Sequence, residues 1–224
     1  MVEIECALED EECSRYLDLL PSHIRARAQR YRFAQPRHSL VASQIALREC
    51  LLALGFNPDR VEVCPRGRPY LPDSGIEFNL SHSHQRAVLL MTAQKEARGA
   101  LGVDLEWTDR SVERDALAKR FFTPNESEFS RRGAAEFFHV WTRKEAVLKT
   151  NGVGLRVPLD SFEVLTDRVE QKVTGRTLFL ATTARADGYM VSWAVDAALA
   201  AAPARWIQAH SEGWLDSVRE GIDS

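Results

Sequence analysis

Residues 100–107 constrain the fold more tightly than any other stretch of this chain. Leu101, Val103, Leu105 and Trp107 occupy one parity, and Gly102, Asp104 and Glu106 the other. Side chains alternate faces along a strand, so the segment reads as a strand with an apolar face and a face bearing two adjacent carboxylates. Ile76, Phe78 and Leu80 alternate with Glu77, Asn79 and Ser81, and Ala87 to Thr92 forms another strand-like run. These two are expected to pair. Further strands are expected over Val2 to Leu8, Phe162 to Leu165, Arg176 to Ala181 and Tyr189 to Val195.

Helical spacing interrupts this pattern. Leu40, Val41, Ile45, Leu47, Leu51 and Leu54 predict a helix from Arg37 to Leu54, with Gly55 at the C′ position. A basic helix is expected from His23 to Arg32, with Ser22 as its N-cap. Thr123-Pro124-Asn125-Glu126 has the form of a capping box with proline at the first helical position. A helix from about Ala134 to Thr150 follows, stopped by Gly152 and Gly154. No fixed-period repeat is present. The chain is therefore a mixed α+β protein, with a boundary near Glu96 to Gly99 dividing residues 1–98 from 99–224.

At 224 residues and 45% hydrophobic, the chain is long enough for one compact unit or two small halves with a sizeable core. The formal net charge of −3 argues against a protein that coats nucleic acid, so an anionic ligand must meet a local basic cluster. Cys6, Cys13, Cys50 and Cys64 form no C-x-x-C pair and read as free thiols in a reducing compartment. The start, Met1-Val2-Glu3-Ile4-Glu5, lacks the basic and apolar regions of a signal peptide, and no stretch is apolar enough to span a membrane. A cytoplasmic protein is expected.

Three constellations carry chemistry. Asp104 and Glu106 project side by side, and two oxygen ligands with open positions suit Mg²⁺. Gly102, on the same face, is expected to leave room for a bulky ligand. An exposed edge with two solvated acids accounts for this strand equally well. In Trp141-Thr142-Arg143-Lys144-Glu145-Ala146-Val147-Leu148-Lys149, the spacing by four puts Trp141, Glu145 and Lys149 on one helical face. Glu145 could complete a metal site with Asp104 and Glu106, and Lys149 could neutralise phosphate. Taken alone, the pair is an ordinary Glu-to-Lys surface contact. In Phe78-Asn79-Leu80-Ser81-His82-Ser83-His84, His82 could bind phosphate as imidazolium or a metal as neutral imidazole, whereas His84 reads as a turn residue. Arg25, Arg27, Arg30, Arg32, Arg37 and His38 form a basic segment, and Arg68 follows in Gly67-Arg68-Pro69-Tyr70. Arginine suits a phosphate or an acidic partner.

Together these segments resemble the signature of the Sfp-type 4′-phosphopantetheinyl transferases. Gly102 to Glu106 is similar to that family's G-[VI]-D-[VIL]-E, Trp141 to Lys149 to its W-[ST]-x-K-E-[AS]-x-x-K, Phe78 to Ser83 to its F-N-[IL]-S-H-S, and Gly67 to Tyr70 to its G-[KR]-P-x. Arg120-Phe121-Phe122-Thr123-Pro124-Asn125-Glu126 resembles a further Arg-Phe-Phe-[ST]-x-x-E segment. His84 departs from the pattern, standing where many members have glycine.

The resemblance implies two similar α+β halves related by a pseudo-two-fold axis, with coenzyme A in the cleft between them. It implies Mg²⁺ on Asp104, Glu106 and Glu145, and Lys149 and His82 on the coenzyme A phosphates. Arg68 would lie beside the adenosine end and Arg37 or His38 near the 3′-phosphate, with Pro69 and Ser81 in the same site. The reaction implied joins a carrier-protein serine to phosphopantetheine and releases adenosine 3′,5′-bisphosphate, with Glu145, Lys149 and Asp104 as catalytic groups and Glu145 as proton acceptor. The carrier would be an apo acyl or peptidyl carrier protein of fatty-acid, polyketide or nonribosomal peptide synthesis, and the enzyme a monomer. Two other readings of the residues remain open. One is a metal-dependent phosphohydrolase using Asp104, Glu106, His82 and His84. The other is a non-catalytic module that holds an acidic partner on the basic segment.

Overall fold

The computed structural model describes residues 1–5, 8–92, 101–150, 157–171, 175–200 and 207–209. Two four-stranded sheets organise it. The first contains β1 (Val2–Glu5), β4 (Glu77–Ser83), β5 (Arg86–Thr92) and β10 (Ile207–Ala209) in the order β10-β1-β5-β4. The second contains β6 (Leu101–Trp107), β7 (Arg168–Gln171), β8 (Arg176–Ala184) and β9 (Tyr189–Asp196) in the order β6-β9-β8-β7. A two-stranded ribbon of β2 (Glu62–Val63) and β3 (Pro69–Tyr70) stands apart. The α+β class is as expected. The expected boundary at Glu96 to Gly99 lies outside the described residues, as do Gly152 and Gly154. β10 runs parallel to β1, so the last described segment returns to the first sheet.

The first sheet carries α1 (Asp10–Asp18), α2 (Ser22–Gln29) and α3 (Ala34–Ala53). Leu40, Val41, Ile45, Leu47 and Leu51 are buried on α3, whereas Leu54 falls past the helix and is 38% exposed. Gly55, at φ +78°, ends the helix as its sequence position predicts. Its amide donates to the Leu52 carbonyl and the Phe56 amide to that of Leu51, the pair of bonds that satisfies orphan carbonyls at a helix end. Ser22 is the first helical residue of α2 rather than its cap, because Pro21 already holds the extended entry; the helix stops at Gln29. Helix α1 was not expected. Glu9 and Glu12 form its capping box, and Asp10, Glu11 and Glu12 favour its positive end.

The second sheet is covered by α4 (Arg114–Phe121), α5 (Pro124–Ser130) and α6 (Ala134–Lys149), and α7 (Ala197–Ala200) follows β9. Thr123 and Glu126 close the predicted capping box. Phe162 to Leu165 is not a strand. Its backbone groups are taken by buried side chains instead: Glu126 accepts the Val164 amide, Arg143 donates to the Val164 carbonyl and Lys144 to that of Phe162. The strand begins later, at Arg168. A small apolar cluster of Val88, Val103, Leu105, Tyr189 and Val191 joins the two sheets.

Candidate active site

Strands β4 and β6 lie side by side without a backbone ladder between them. Side chains form the seam. Asn79 Oδ1 accepts the Val103 amide at 2.9 Å, Ser81 Oγ that of Leu105 at 3.2 Å, and Ser83 Oγ that of Trp107 at 3.1 Å. Period-two alternation puts all three on one face of β4. The two serines then donate their hydroxyl protons to the acids of the neighbouring strand: Ser81 to Asp104 Oδ1 and Ser83 to Glu106 Oε2, each at 2.9 Å. Lys149 Nζ reaches Ser81 Oγ at 2.9 Å and Asp104 Oδ1 at 2.7 Å. Ser81 thus uses its one donor and both acceptor sites.

The acids are not on a solvated edge. Asp104 is only 5% exposed, and its Oδ2 is buried with no hydrogen-bond partner. Glu106 is held from its other side by Arg110 at 2.8 Å. Burial raises the pKa of Glu106, Asp104 adds to this, and Arg110 and Ser83 oppose it. Burial and then the charge of Asp104 lift Glu145 to about 7, against the pull of Lys149. The ionised forms of Glu106 and Glu145 are therefore both disfavoured beside Asp104. Among the described residues, no three His, Cys, Asp or Glu side chains are placed to hold a metal ion as they stand. A buried carboxylate oxygen without a donor, beside two carboxyls reluctant to ionise, is nonetheless a donor set suited to a hard divalent cation.

Gly102 leaves room for a helix, not for a ligand. A Cβ there would run into the backbone carbonyl of Ala146 and the amide of Thr150. The missing side chain lets the last turn of α6 settle on β6, which brings Lys149 onto Asp104.

A cavity of about 360 Å³ opens beside these groups, lined by Ser81, His82, Glu145 and Lys149 together with Arg27, Arg66, Arg68, Pro69 and Asn79. That volume is in the range of small-molecule sites. An adjoining apolar cavity of about 230 Å³ shares Arg27, Gly67 and Pro69 with it. Burial lowers the pKa of His82, and the charges of Arg27 and Lys149 lower it further, so the free protein favours neutral imidazole.

Of the basic segment, it is Arg27 that reaches the cavity wall. Arg37 and His38 instead both meet Asp10 Oδ1 at 2.9 Å. The spacing of the buried Ile24 and Ala28 was the available sign, since Arg27 flanks their face of α2. Asn79 and Ser83 stand in the Phe78 to Ser83 motif, but the sequence assigned them no role because their roles depend on which strand lies next to them. His84, at φ +50°, forms the β4–β5 turn. Its ring stacks on Trp107 at 4.2 Å, and its carbonyl accepts from Ser39 and Gln35 on α3. It is a structural contact between the sheets.

A model of the 4′-phosphopantetheinyl transferase superfamily matches residues 100–202. The 4′-phosphopantetheinyl transferase HetI of Nostoc sp. is 36% identical over 170 residues, spanning 69% of this chain and 70% of its own. The 4′-phosphopantetheinyl transferase Sfp of Bacillus subtilis is 29% identical over 167 residues, 70% of this chain and 71% of its own. A putative 4′-phosphopantetheinyl transferase of Synechocystis sp. is 32% identical over 151 residues, 62% and 60% respectively.

Proposed function

We propose, from the premise that this chain belongs to the 4′-phosphopantetheinyl transferase superfamily and is of the Sfp type, that it transfers the 4′-phosphopantetheine arm of coenzyme A to a serine of an apo acyl or peptidyl carrier protein. The observation that carries the reading is the serine-held acid Asp104, with one buried oxygen free, facing Lys149 and Glu145 at the wall of a cavity that also presents His82 and Arg27. Phosphoryl transfer rests on positioning and on charge stabilisation, and this arrangement supplies both.

In this reading Asp104, Glu106 and Glu145 would hold Mg²⁺, which would supply charge neutralisation for the pyrophosphate. Lys149, His82, Arg27 and Ser81 receive the coenzyme A phosphates, with Pro69 lining the same site. Arg37 and His38 remain candidates for the 3′-phosphate only if a ligand draws them from Asp10. The serine oxygen bonds to the β-phosphorus as the bridging P–O bond breaks, and the bridging electron pair leaves on adenosine 3′,5′-bisphosphate. In this reading Glu145 takes the serine proton, directly or through water. One chain carries all these groups, which supports a monomer. Coenzyme A as co-substrate and the free thiols of Cys13, Cys50 and Cys64 support a cytoplasmic setting. Among the described residues, no helix is long and apolar enough to cross a membrane.

The test is intact mass spectrometry of an apo carrier protein incubated with the enzyme, coenzyme A and Mg²⁺. A gain of one phosphopantetheine, abolished by EDTA and by Glu145→Ala, is expected. Phosphate-ester hydrolysis without carrier would favour a phosphohydrolase, and carrier binding without product a binding module.

A further inference from the structure

Arg68 sits in the loop that leads into β3, yet its guanidinium is engaged inside the protein. Nη1 donates to the carbonyls of Lys149, at 3.0 Å, and Thr150. Nη2 donates to Glu77 Oε2 at 3.1 Å and lies 3.5 Å from the Phe78 carbonyl. Only 10% of the side chain is exposed, and Glu77, at 14%, is its counter-charge.

The two carbonyls belong to the end of α6. The final carbonyls of a helix have no partner within it and carry the negative end of its dipole, so a cation is favoured there. The same turn also rests on Gly102. The turn that carries Lys149 is thus held by both β6 and Arg68, and Lys149 extends from it to Asp104 and Ser81. The planar fork of arginine addresses several acceptors at once, which the single ammonium of lysine does not reproduce.

We infer that Arg68 is a positioning residue: it clamps the C-terminal turn of α6 and thereby fixes Lys149 against Asp104, its charge being committed to the protein rather than to a phosphate of the substrate. The effect on catalysis rests on the transfer reaction proposed above; the clamp itself does not.

Arg68→Lys and Arg68→Met, each in the Lys149 and the Lys149→Ala backgrounds, provide the test. With Lys149 present, kcat is expected to fall about tenfold while KM for coenzyme A stays within about twofold. The fall should be the same with 3′-dephospho-coenzyme A, which lacks the 3′-phosphate. In the Lys149→Ala background the same changes should cost little more, because the two residues act as one unit. Amide hydrogen exchange over residues 147–150 should accelerate while the sheets stay protected. A rise in KM that vanishes with 3′-dephospho-coenzyme A, or losses that multiply with Lys149→Ala while exchange is unchanged, would overturn the inference. Should Arg68→Met fail to fold, Arg68→Met/Glu77→Gln removes the stranded carboxylate and takes its place. Failure of the transfer reading is separately visible as a wild-type enzyme that makes no product, and the exchange measurement still judges the clamp.

Discussion

Lys144 Nζ stands 2.7 Å from Glu126 Oε2, with the two side chains 1% and 0% exposed. The ammonium also donates to the carbonyls of Leu159 and Phe162, at 2.6 and 2.7 Å, and lies 4.5 Å from the centroid of the Phe162 ring. Burial pulls the Lys144 pKa down and Glu126 pulls it back up. Removing one partner strands a buried charge, so Lys144→Met should lose about 3–5 kcal/mol in urea denaturation. Lys144→Met/Glu126→Gln should recover part of that loss. A loss under about 1 kcal/mol for the single variant would mean that the pair does not hold α6 to the 159–164 segment.

Asp104→Asn keeps the shape of the side chain and removes its charge. Its transfer rate should fall by about 100-fold or more, with an unchanged circular dichroism spectrum. Mg²⁺ should raise the Tm of the wild type and leave that of the variant where it was. An equal Mg²⁺-dependent rise in both would remove Asp104 from the proposed metal site.

Two glycines should respond differently to alanine. Gly102→Ala drives a methyl group into α6 backbone and should cost about 1–3 kcal/mol, slowing transfer as Lys149 is displaced. Gly55→Ala meets open space but must adopt φ +78°, so it should cost about 1 kcal/mol with the rate intact. Thermal denaturation and turnover measured on both variants separate the two causes.

His139 gives the protein an acid limb. Burial, and then Arg143, lower its pKa from 6.5 to about 4. Between those values the unfolded chain binds a proton that the folded chain refuses, so stability falls as pH drops from 6.5 toward 4 and this contribution levels off below. In His139→Asn that part of the slope should disappear. A stability profile identical to the wild type over this range would show that His139 is not its source.

What the sequence disclosed follows from how local each signal is. The parity of residues 101–107, the Thr123–Glu126 capping box and the shared helical face of Glu145 and Lys149 are set by backbone period alone, and all are found in the structure. The second role of Glu126, as counter-ion to Lys144, depends on α5 packing against α6. Phe162 to Leu165 has strand composition, but its bonding partners are the side chains of Glu126, Arg143 and Lys144 rather than another strand. Gly102 announced a close approach without saying what approaches. Ser81 was legible only as part of the implied site, and the seam made by Asn79, Ser81 and Ser83 was not, because a polar side chain on a strand takes its meaning from the neighbour it meets.

The seam between β4 and β6 has a mechanical consequence. A ladder of peptide groups would survive almost any substitution, whereas this joint consists of three side chains and can be unfastened one residue at a time. Ser81 Oγ secures the Leu105 amide and Asp104 together. The two sheets therefore cannot hinge apart along this line without dismantling the support of the acid.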